Sequence, residues 1–525
     1  MAFTKRLTLF LPVFWTVASG SENVQLPLAT SAPSSASDPI PNNFQSFSIE
    51  LAFWADYAGN HSCPNTFSNR LFVNLREFNG GVPQILRIGG NTQDHTTYIP
   101  DQKEGIINNW DYTYNLDQPR NSTIGPVFWE SYNVITGTQY IPGLNFYKND
   151  SDYLRNLQGE AQESLKYIPA ERLHLLEIGN ENDYGARSGF RPVNWTQEDY
   201  VEEWISRSRN IQTASKSLRF FAPSFCCFNI TTDYSFFSPW TVWNSTFGYN
   251  RDGWIEEVSQ HGYISSTNNN PTLQGTLMNH TNLINSAKPH VELNIFHRQN
   301  GRKYTVGETN SISGQGSHGV SDVFGSALWL VDYCLYLAAQ SVTRIHLHQG
   351  TSYRYAAWLP IVVNGTGPLV KPPYYGHIFV AKFLGSSNTT QINNVDLGSD
   401  YYSAYAAYEA GNLSRVAILN LLTWDPPNST DTSSSIDATI DRPKTTFNLG
   451  VSQGYRSATV ELMTAPGATF DTNITVAGIS YDYDLAEGRG VRVGKDIVAT
   501  LQPGKDGSFS VDVEASQAVV VTFHR

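Results

Sequence analysis

Charged side chains are scarce in this chain, and basic ones are scarcer than acidic ones. Charged residues make up 16% of the 525 residues, and 35 lysines and arginines face 47 aspartates and glutamates, for a net charge of −12. Binding to nucleic acid depends on a basic surface that neutralises phosphates. The shortage of basic residues therefore excludes nucleic acid as an expected partner.

Long apolar segments are also missing. A membrane-spanning helix needs roughly 20 consecutive apolar residues, whereas the apolar run at 7–17 has only eleven. Lys5 and Arg6 precede this run and the small residues 18–20 follow it, which is the pattern of a secretory signal peptide and its cleavage site. We therefore expect residues 1–20 to be a signal peptide and the mature protein to be secreted, extracellular and without a membrane partner.

Cysteines are few as well, and there are only four: Cys63, Cys226, Cys227 and Cys334. In an oxidising compartment four cysteines allow three disulfide connectivities, and the sequence does not choose among them. None of them forms the Cys-x-x-Cys pair that is typical of structural zinc sites.

Signals for a cofactor or another metal site are weak. Gly314, Gly316 and Gly319 match the glycine spacing of a dinucleotide-binding loop, but no acidic residue follows about 20 positions on at the end of a second strand. His346 and His348 alternate along one predicted strand without further candidate ligands, so we interpret them as hydrogen-bonded barrel histidines. The sequence predicts no cofactor and no metal.

Aromatic residues and glycosylation sequons are, by contrast, abundant. Aromatic side chains make up 13% of the chain, which suits a large core and surfaces on which flat apolar ligands stack. Twelve Asn-x-Ser/Thr sequons occur, at Asn60, Asn121, Asn149, Asn194, Asn229, Asn244, Asn279, Asn364, Asn388, Asn412, Asn428 and Asn473. Together with a signal peptide, they predict N-glycans.

From residue 43 onward, short apolar runs alternate with helical segments such as 196–216 and 320–340, the pattern of β/α units around a parallel sheet. The eight candidate strands are 43–50, 83–89, 139–144, 173–179, 219–223, 258–263, 302–307 and 342–348. They predict an α/β fold, a (β/α)8 TIM barrel, over residues 43–377.

The pattern changes at residue 378. Alternating apolar and polar stretches, broken by Gly, Pro, Asn and Asp turns, predict an antiparallel β-sandwich over residues 378–525. Residues 21–42, rich in Ser, Ala and Pro, are either a linker or a strand of this β-domain.

Two glutamates lie where a barrel of this kind places catalytic groups. Glu181 follows the fourth predicted strand and Glu308 the seventh, and the nearby glycines Gly179 and Gly307 would let the backbone turn sharply. A retaining glycosidase needs one protonated and one ionised carboxyl, roughly 5–5.5 Å apart. Strands four and seven face each other across such a barrel, so this pair predicts a retaining glycoside hydrolase.

Four motifs in order resemble glycoside hydrolase family 79, which includes fungal β-glucuronidases and, more distantly, heparanases. The motifs are ILRIGGNTQDH at 85–95, LEIGNEN at 176–182, VGETNS at 306–311 and GVSDVFGSALWLVDY at 319–333. The resemblance spans residues 43 to 377 and extends to the C-terminal β-domain that these enzymes carry.

The resemblance implies roles for individual residues. Glu181 is implied to be the general acid/base and Glu308 the nucleophile, while Asn180 would bind the 2-hydroxyl of the sugar. Tyr263, at the end of strand six, matches a tyrosine that orients the nucleophile, although it could also be a tyrosine of the core. Arg87 could keep Glu308 ionised, or could form a purely structural ion pair.

Other residues are candidates for holding the sugar. Glu50 and Asn91, at the ends of strands one and two, are candidates for sugar hydroxyls. For a sugar carboxylate, the resemblance implies a tyrosine hydroxyl and backbone N–H groups on the loop after strand eight. Tyr355 is the first candidate and Tyr353 the second, and Arg354 could supply a charge-assisted pair instead.

We therefore expect a secreted retaining exo-β-glycosidase whose partner is a carbohydrate. The first candidate activity is that of a β-glucuronidase, which removes terminal β-D-glucuronic or 4-O-methylglucuronic acid from glycoconjugates without a cofactor. Two alternatives share the chemistry, a β-glycosidase for a neutral sugar and a heparanase-like endo-enzyme. A third is a non-catalytic carbohydrate-binding protein on a hydrolase scaffold, but a binder has no need of two opposed glutamates.

Overall fold

The computed structural model describes residues 22–215, 217–228, 237–427, 441–451, 454–493 and 499–525. The predicted signal peptide and the sequons at Asn229 and Asn428 lie outside these residues. Within the described ranges, no helix combines the length and the apolar character that crossing a bilayer requires.

The strands alternate with helices along the first two thirds of the chain. The strands are β1 (Glu22–Leu28), β2 (Gln45–Glu50), β3 (Gln84–Gly89), β4 (Thr96–Tyr98), β5 (Ile106–Asn109), β6 (Asn121–Ile124), β7 (Thr138–Leu144), β8 (Leu176–Ile178), β9 (Phe220–Phe225), β10 (Ile255–Ser266), β11 (Lys303–Ser313), β12 (Arg344–Gln349), β13 (Trp358–Leu359), β14 (Leu369–Val370), β15 (Gln391–Val395), β16 (Tyr402–Glu409), β17 (Asn412–Asn420), β18 (Lys444–Val451), β19 (Ser457–Thr464), β20 (Thr475–Val476), β21 (Ile479–Ser480), β22 (Val491–Arg492), β23 (Ala499–Leu501), β24 (Phe509–Glu514) and β25 (Gln517–His524). The α-helices are α1 (Trp54–Ala58), α2 (Thr66–Phe78), α3 (Asn91–Asp94), α4 (Tyr153–Tyr167), α5 (Gln197–Ile211), α6 (His280–Gln299), α7 (Phe324–Ala339), α8 (Pro372–Leu384) and α9 (Tyr483–Ala486).

Eight parallel strands close into a barrel in the order β10-β11-β12-β2-β3-β7-β8-β9. Each of them overlaps one of the eight predicted strands, so the predicted (β/α)8 barrel is confirmed. The strands could be predicted because a parallel barrel strand is buried on both faces and therefore appears in the sequence as a continuous apolar run. An insertion between the second and third barrel strands forms a small three-stranded sheet, β4-β6-β5, above the barrel mouth.

The C-terminal part is a sandwich of two sheets, as predicted. A nine-stranded sheet runs from β15 to β22 with β25 near its centre, and a three-stranded sheet has the order β1-β18-β24. Strand β1 pairs in parallel with β18, so the segment just after the predicted signal peptide adds an edge strand here. Apolar side chains from both sheets, among them those of Leu26, Phe447 and Val521, form a core between them.

Helix α7 joins the barrel to the β-domain. All sixteen of its residues are buried, because a helix that is apolar on every side must be covered on every side. Its one buried carboxylate, Asp332, accepts hydrogen bonds from the Tyr405 hydroxyl of β16 at 2.6 Å and from Nδ1 of His280 of α6 at 2.9 Å. Burial lowers the pKa of His280, but the charge of Asp332 outweighs it, and the net shift is upward.

Replacing Asp332 with alanine is therefore expected to lower the free energy of unfolding by about 2–4 kcal/mol, because two buried polar partners lose their acceptor. Chemical denaturation would measure the change. The histidine pair stabilises the fold only while His280 is protonated, so the difference from wild type should shrink as the pH rises through the raised pKa of His280. The control is Glu461→Gln at the part-exposed Lys382–Glu461 pair, which should cost about 0–1 kcal/mol. Equal effects of both variants would contradict the assignment.

Candidate active site

The carboxyl ends of the barrel strands open into a cavity of about 530 Å³. The predicted site residues that line it are Glu50, Asn91, Glu181, Tyr263, Glu308 and Tyr355. Asn180 lines a smaller neighbouring cavity of about 260 Å³, and Arg87 lies fully buried beneath both. All eight predicted residues thus gather at one end of the barrel.

Glu308 lies on β11, is held by two hydrogen-bond donors and has a histidine close by. Arg87 donates from Nη1 to Oε2 at 2.6 Å, and the Tyr263 hydroxyl donates to Oε1 at 2.8 Å. Nδ1 of His348 lies 3.5 Å from Oε2. Burial by itself would raise the pKa of Glu308, but the charges of His348 and Arg87 and the Tyr263 hydrogen bond together hold it well below its usual range. This carboxyl is therefore ionised.

Arg87 forms both of the contacts that the sequence left open. Its Nε donates to Glu177 at 2.8 Å, a structural ion pair, while its Nη1 binds the carboxylate of Glu308. Its Nη2 donates to Oδ1 of Asn180 at 2.7 Å. This bond fixes the orientation of the Asn180 amide, so that its Nδ2 group is the one left to donate, here to Oδ1 of Asn91 at 3.4 Å.

Glu181 occupies a strained position just beyond β8. Its φ of 51° lies in the left-handed region, which costs a residue with a side chain about 1–3 kcal/mol and is found most often at functional sites. The backbone is held there because Glu181 N–H donates to the carbonyl of Ser224 at 2.9 Å and its own carbonyl accepts from the Tyr147 hydroxyl at 3.1 Å.

The side chain of Glu181 reaches toward Glu308. One of its carboxylate oxygens lies within 4.8 Å of an oxygen of Glu308, and Oε1 lies 3.0 Å from Nδ1 of His261. Burial raises the pKa of Glu181, and the negative charge of Glu308 raises it further. The cavity therefore contains one carboxyl that tends to hold its proton beside one that does not.

The two glycines near these glutamates act in different ways. Gly179 has a φ of 82° and provides the expected turn. Gly307, by contrast, belongs to the extended strand β11, so the expectation of a turn before Glu308 was wrong. A Cβ at position 307 would lie 2.0 Å from Oγ of Ser259. Gly307 is needed because the neighbouring barrel strand approaches closely.

Glu50 forms a rigid wall of the cavity. Its Oε1 accepts from the N–H and the hydroxyl of Thr92, both at 2.7 Å. Its Oε2 accepts from Nε2 of Gln118 at 2.8 Å and from the Tyr353 hydroxyl at 3.1 Å, with Nε2 of His348 at 3.2 Å. A carboxylate held by this many groups cannot swing, so a ligand meets it in one fixed orientation.

The three residues predicted to bind a sugar carboxylate lie on the loop after β12 and make different contacts. Arg354 forms a two-pronged ion pair with Asp117, at 2.7 and 3.2 Å, and the Tyr353 hydroxyl is bound to Glu50. Tyr355 lines the main cavity, with its ring centroid 6.1 Å from that of Tyr263. Among the three, Tyr355 is the one positioned on the cavity surface.

Two histidines at the site were not predicted to belong to it. His261 precedes Tyr263 by two residues on β10, and residues two apart in a strand share a face. The predicted role of Tyr263 could therefore have indicated that His261 also faces the site. Burial lowers the pKa of His261 to about 4, which makes it a neutral partner of Glu181. His348, interpreted from sequence as a barrel histidine, bridges Glu50 and Glu308. Its pKa is lowered by burial but raised more strongly by these carboxylates.

Among the described residues, two groups of side chains lie close enough together to share a metal ion. One is Glu181, His261 and Glu308, and the other is Asp183 with Cys226 and Cys227. In the second group the two sulfurs form a disulfide with each other, so neither is the thiolate that a metal requires. The expectation of no metal and no cofactor stays a prediction.

The chain is similar to known glycoside hydrolases in sequence and in structure. The model of the glycosyl hydrolase family 79 C-terminal beta domain matches residues 404–520. A beta-glucuronidase of Aspergillus niger is 36% identical over 94% of this chain and 93% of its own length. One of Neurospora crassa is 34% identical over 95% and 96%. The crystal structure of a 4-O-α-L-rhamnosyl-β-D-glucuronidase from Fusarium oxysporum, 22% identical, superposes with a TM-score of 0.76 over 95% of this chain and all of that one.

Proposed function

This chain belongs to glycoside hydrolase family 79 and is a glycoside hydrolase, and we propose that it is a secreted exo-β-glucuronidase that acts with retention of configuration. The observation that carries the mechanism is the pair Glu181 and Glu308. Their nearest oxygens lie within 4.8 Å of each other, and their pKa values are shifted in opposite directions. Retaining enzymes have carboxyls about 5–5.5 Å apart, whereas inverting ones need roughly 6.5–9.5 Å to admit a water.

In the first step the ionised Glu308 attacks the anomeric carbon of the substrate. The bond from that carbon to the leaving oxygen breaks, and Glu181 transfers its proton to the oxygen, so that the aglycone leaves as an alcohol. A covalent glycosyl ester of Glu308 remains. Arg87 and Tyr263 keep Glu308 ionised before the attack, and the raised pKa of Glu181 keeps the acid loaded.

In the second step Glu181, now ionised, removes a proton from a water molecule. The water attacks the anomeric carbon from the face that the aglycone left, and the ester bond to Glu308 breaks. The product has the β configuration of the substrate. Since His261 is neutral and contacts Glu181 at 3.0 Å, it acts as a positioning residue for the acid/base.

The remaining residues hold the sugar. Asn180, with its amide oriented by Arg87, donates from Nδ2 toward the 2-hydroxyl, and Asn91 lies beside it. Glu50, whose two oxygens already bind Thr92, Gln118, Tyr353 and His348, fixes the groups of the cavity wall against which the sugar lies. The observation that supports these assignments is that Glu50 and Asn91 line the same cavity as the two glutamates, while Asn180 lines the cavity next to it.

A wall on the Glu50 side of the cavity supports exo-action. The segment 110–120 is joined to the loop after β12 by the Arg354–Asp117 ion pair and by contacts of Gln118 with Glu50 and Tyr353. A longer glycan would have to continue through this wall. The cavity therefore suits a single terminal sugar, which disfavours the heparanase-like alternative.

The carboxylate of the substrate is assigned to Tyr355. Replacing Tyr355 with phenylalanine removes one donor and keeps the ring. A hydrogen bond to a charged group contributes roughly 1.5–3 kcal/mol, so kcat/KM for p-nitrophenyl β-glucuronide should fall about ten- to a hundredfold. Hydrolysis of the matching β-glucoside, which has no carboxylate, should change little. An unchanged ratio of the two rates would contradict the assignment, and Tyr353→Phe is the matched control.

Tyr263→Phe tests the control of the nucleophile. The Tyr263 hydroxyl lowers the pKa of Glu308, so its removal should raise that pKa, and the acidic limb of the kcat/KM profile should move to higher pH. The rate at the optimum should also fall by about ten- to a hundredfold. Tyr140→Phe, which removes a buried hydroxyl at the opposite end of the barrel, should leave the profile unchanged. A rate loss without a shifted limb would show that Tyr263 does not act on Glu308.

Export and glycosylation are part of the proposal. Nine of the ten described sequon asparagines are exposed, whereas Asn279 is half-buried and caps helix α6 through its side chain. These exposed sites, with the sequence pattern of residues 1–20, support a secreted glycoprotein. The acidic net charge argues against nucleic acid as a partner.

A single substrate comparison tests the function as a whole. Wild-type enzyme is expected to hydrolyse p-nitrophenyl β-glucuronide in preference to the β-glucoside, with β-glucuronic acid as the first product seen by NMR. Preference for the glucoside would favour the neutral-sugar alternative. α-Product would indicate inversion, and no hydrolysis of any β-glycoside would indicate a carbohydrate-binding protein.

A further inference from the structure

Two adjacent cysteines form part of the cavity wall beside the acid/base. Cys226 and Cys227 directly follow β9, the fifth barrel strand, and are joined in a disulfide. Both are half-buried and line the same cavity as Glu181 and Glu308. Neither of the two catalytic steps described above uses them.

The pair offers the cavity a largely apolar surface because three of its four backbone polar groups are already bound. The N–H of Cys226 donates to Oδ1 of Asp183 at 3.0 Å, and the N–H of Cys227 also bonds to this carboxyl. The carbonyl of Cys227 accepts from Nε2 of Gln260 at 3.2 Å. What remains for a ligand is the sulfur–sulfur bond, the two Cβ atoms and the carbonyl of Cys226.

The position of the pair identifies the part of the substrate that it meets. Two contacts place the pair next to Glu181. Asp183, which binds the N–H groups of the pair, lies two residues beyond Glu181, and the N–H of Glu181 donates to the carbonyl of Ser224, two residues before Cys226. Glu181 gives its proton to the leaving oxygen, so the groups next to it on the side away from Glu50 border the aglycone. Ile264 and Ser265, beyond Tyr263 on β10, line this part of the cavity as well.

We propose that the Cys226–Cys227 disulfide is an apolar wall of the aglycone subsite and selects substrates whose leaving group presents an apolar face, such as an aromatic ring. The proposal rests on the proposed glycosidase function. A methylene-sized apolar contact is worth about 0.8 kcal/mol, or about fourfold in kcat/KM, so a disulfide that covers part of a ring should favour aryl over methyl glucuronides about five- to tenfold.

The test compares p-nitrophenyl and methyl β-glucuronide in the double variant Cys226→Ala, Cys227→Ala. The ratio of their kcat/KM values should fall about five- to tenfold. For a dinitrophenyl glucuronide, whose turnover is limited by hydrolysis of the glycosyl ester, kcat should stay unchanged because the aglycone has already left. Cys63→Ala, at an exposed cysteine outside the cavity, is the matched control and should change none of these values.

Other outcomes would overturn the proposal. An equal loss on both substrates, with a lower kcat for the dinitrophenyl substrate, would mean that the disulfide only supports the fold. A changed ratio in Phe190→Ala but not in the double variant would place the aglycone in the smaller cavity, where Phe190 stacks on Tyr147.

A measurement on wild-type enzyme keeps the proposal testable if the variant does not fold. The glycosyl ester should be intercepted by benzyl alcohol about five- to tenfold better than by methanol at equal concentration, and equal interception would overturn the proposal. If the wild type hydrolyses no glucuronide but does hydrolyse another β-glycoside, the proposed function fails while the same aryl-to-methyl comparison on that sugar still decides the role of the disulfide.

Discussion

Replacing Glu308 with alanine should lower kcat for p-nitrophenyl β-glucuronide on the order of 10⁴-fold or more, because the covalent intermediate can no longer form. Added azide should restore part of the activity by occupying the space of the lost carboxylate and attacking the anomeric carbon directly. The product of this single displacement should be the α-azide. Its configuration, read by NMR, identifies Glu308 as the nucleophile in a way that a rate loss alone does not.

The design needs controls for folding. Removal of Glu308 leaves Arg87 with Glu177 as its remaining charged partner, so Glu308→Gln is the conservative second variant and should be equally inactive. Glu256→Ala removes an exposed carboxylate from the neighbouring barrel strand and should retain wild-type activity. A Glu308→Ala enzyme with more than about a tenth of wild-type activity, or an azide product of β configuration, would contradict the nucleophile assignment.

The barrel and the two glutamates were predictable because both follow from local sequence. Strands buried on both faces show as apolar runs, and the residue after such a run lies at the barrel mouth. That rule placed Glu181 and Glu308 at the barrel mouth, although β11 continues past Glu308 to Ser313. The contact between them could not be predicted, since the oxygens that lie within 4.8 Å of each other belong to residues 127 positions apart in the chain.

The parts of the site that sequence did not predict come from distant segments or from backbone geometry. Gln118 and Asp117 belong to an insertion between two barrel strands, and their contacts with Glu50 and Arg354 depend on how that insertion folds back. The left-handed backbone of Glu181 is imposed by Ser224 and Tyr147. A position held in a rare conformation by its neighbours leaves no pattern in the sequence.

The charges of the histidines at the site could not be predicted from the sequence either. The sequence suggested that Arg87 acts on Glu308. It did not show that His261 and His348 have different charges, because burial and neighbouring carboxylates decide the charge of each. Burial keeps His261 neutral beside Glu181, whereas His348 lies between two carboxylates and tends to be charged. Burial and the charge of Glu308 raise the pKa of Glu181, whereas the charges of His348 and Arg87 outweigh burial at Glu308 and lower its pKa, and this difference separates the two carboxyls.

Replacing Glu181 with alanine should produce a loss that depends on the leaving group. A methyl glucuronide needs a proton to depart and should lose kcat/KM on the order of 10³- to 10⁴-fold. A dinitrophenyl glucuronide departs without one, so its kcat/KM should fall about tenfold at most, while its kcat drops because no base activates water in the second step. Azide needs no base and should restore that kcat, giving the β-azide. Glu198→Ala, at an exposed glutamate of α5, is the matched control.

The dependence of activity on pH tests the role of Glu181 independently. Glu181 must be protonated for the first step, so in the wild type activity falls as the pH rises through its raised pKa. In Glu181→Ala the group that titrates is gone, and the basic limb that the wild type shows for p-nitrophenyl β-glucuronide should disappear, while the acidic limb set by Glu308 remains. A basic limb that persists, or equal losses on methyl and dinitrophenyl substrates, would assign the proton to another group. Because His261 is already neutral over this range, it cannot supply a limb in place of Glu181. A limb that persists would point to His348, whose pKa is raised beside Glu308.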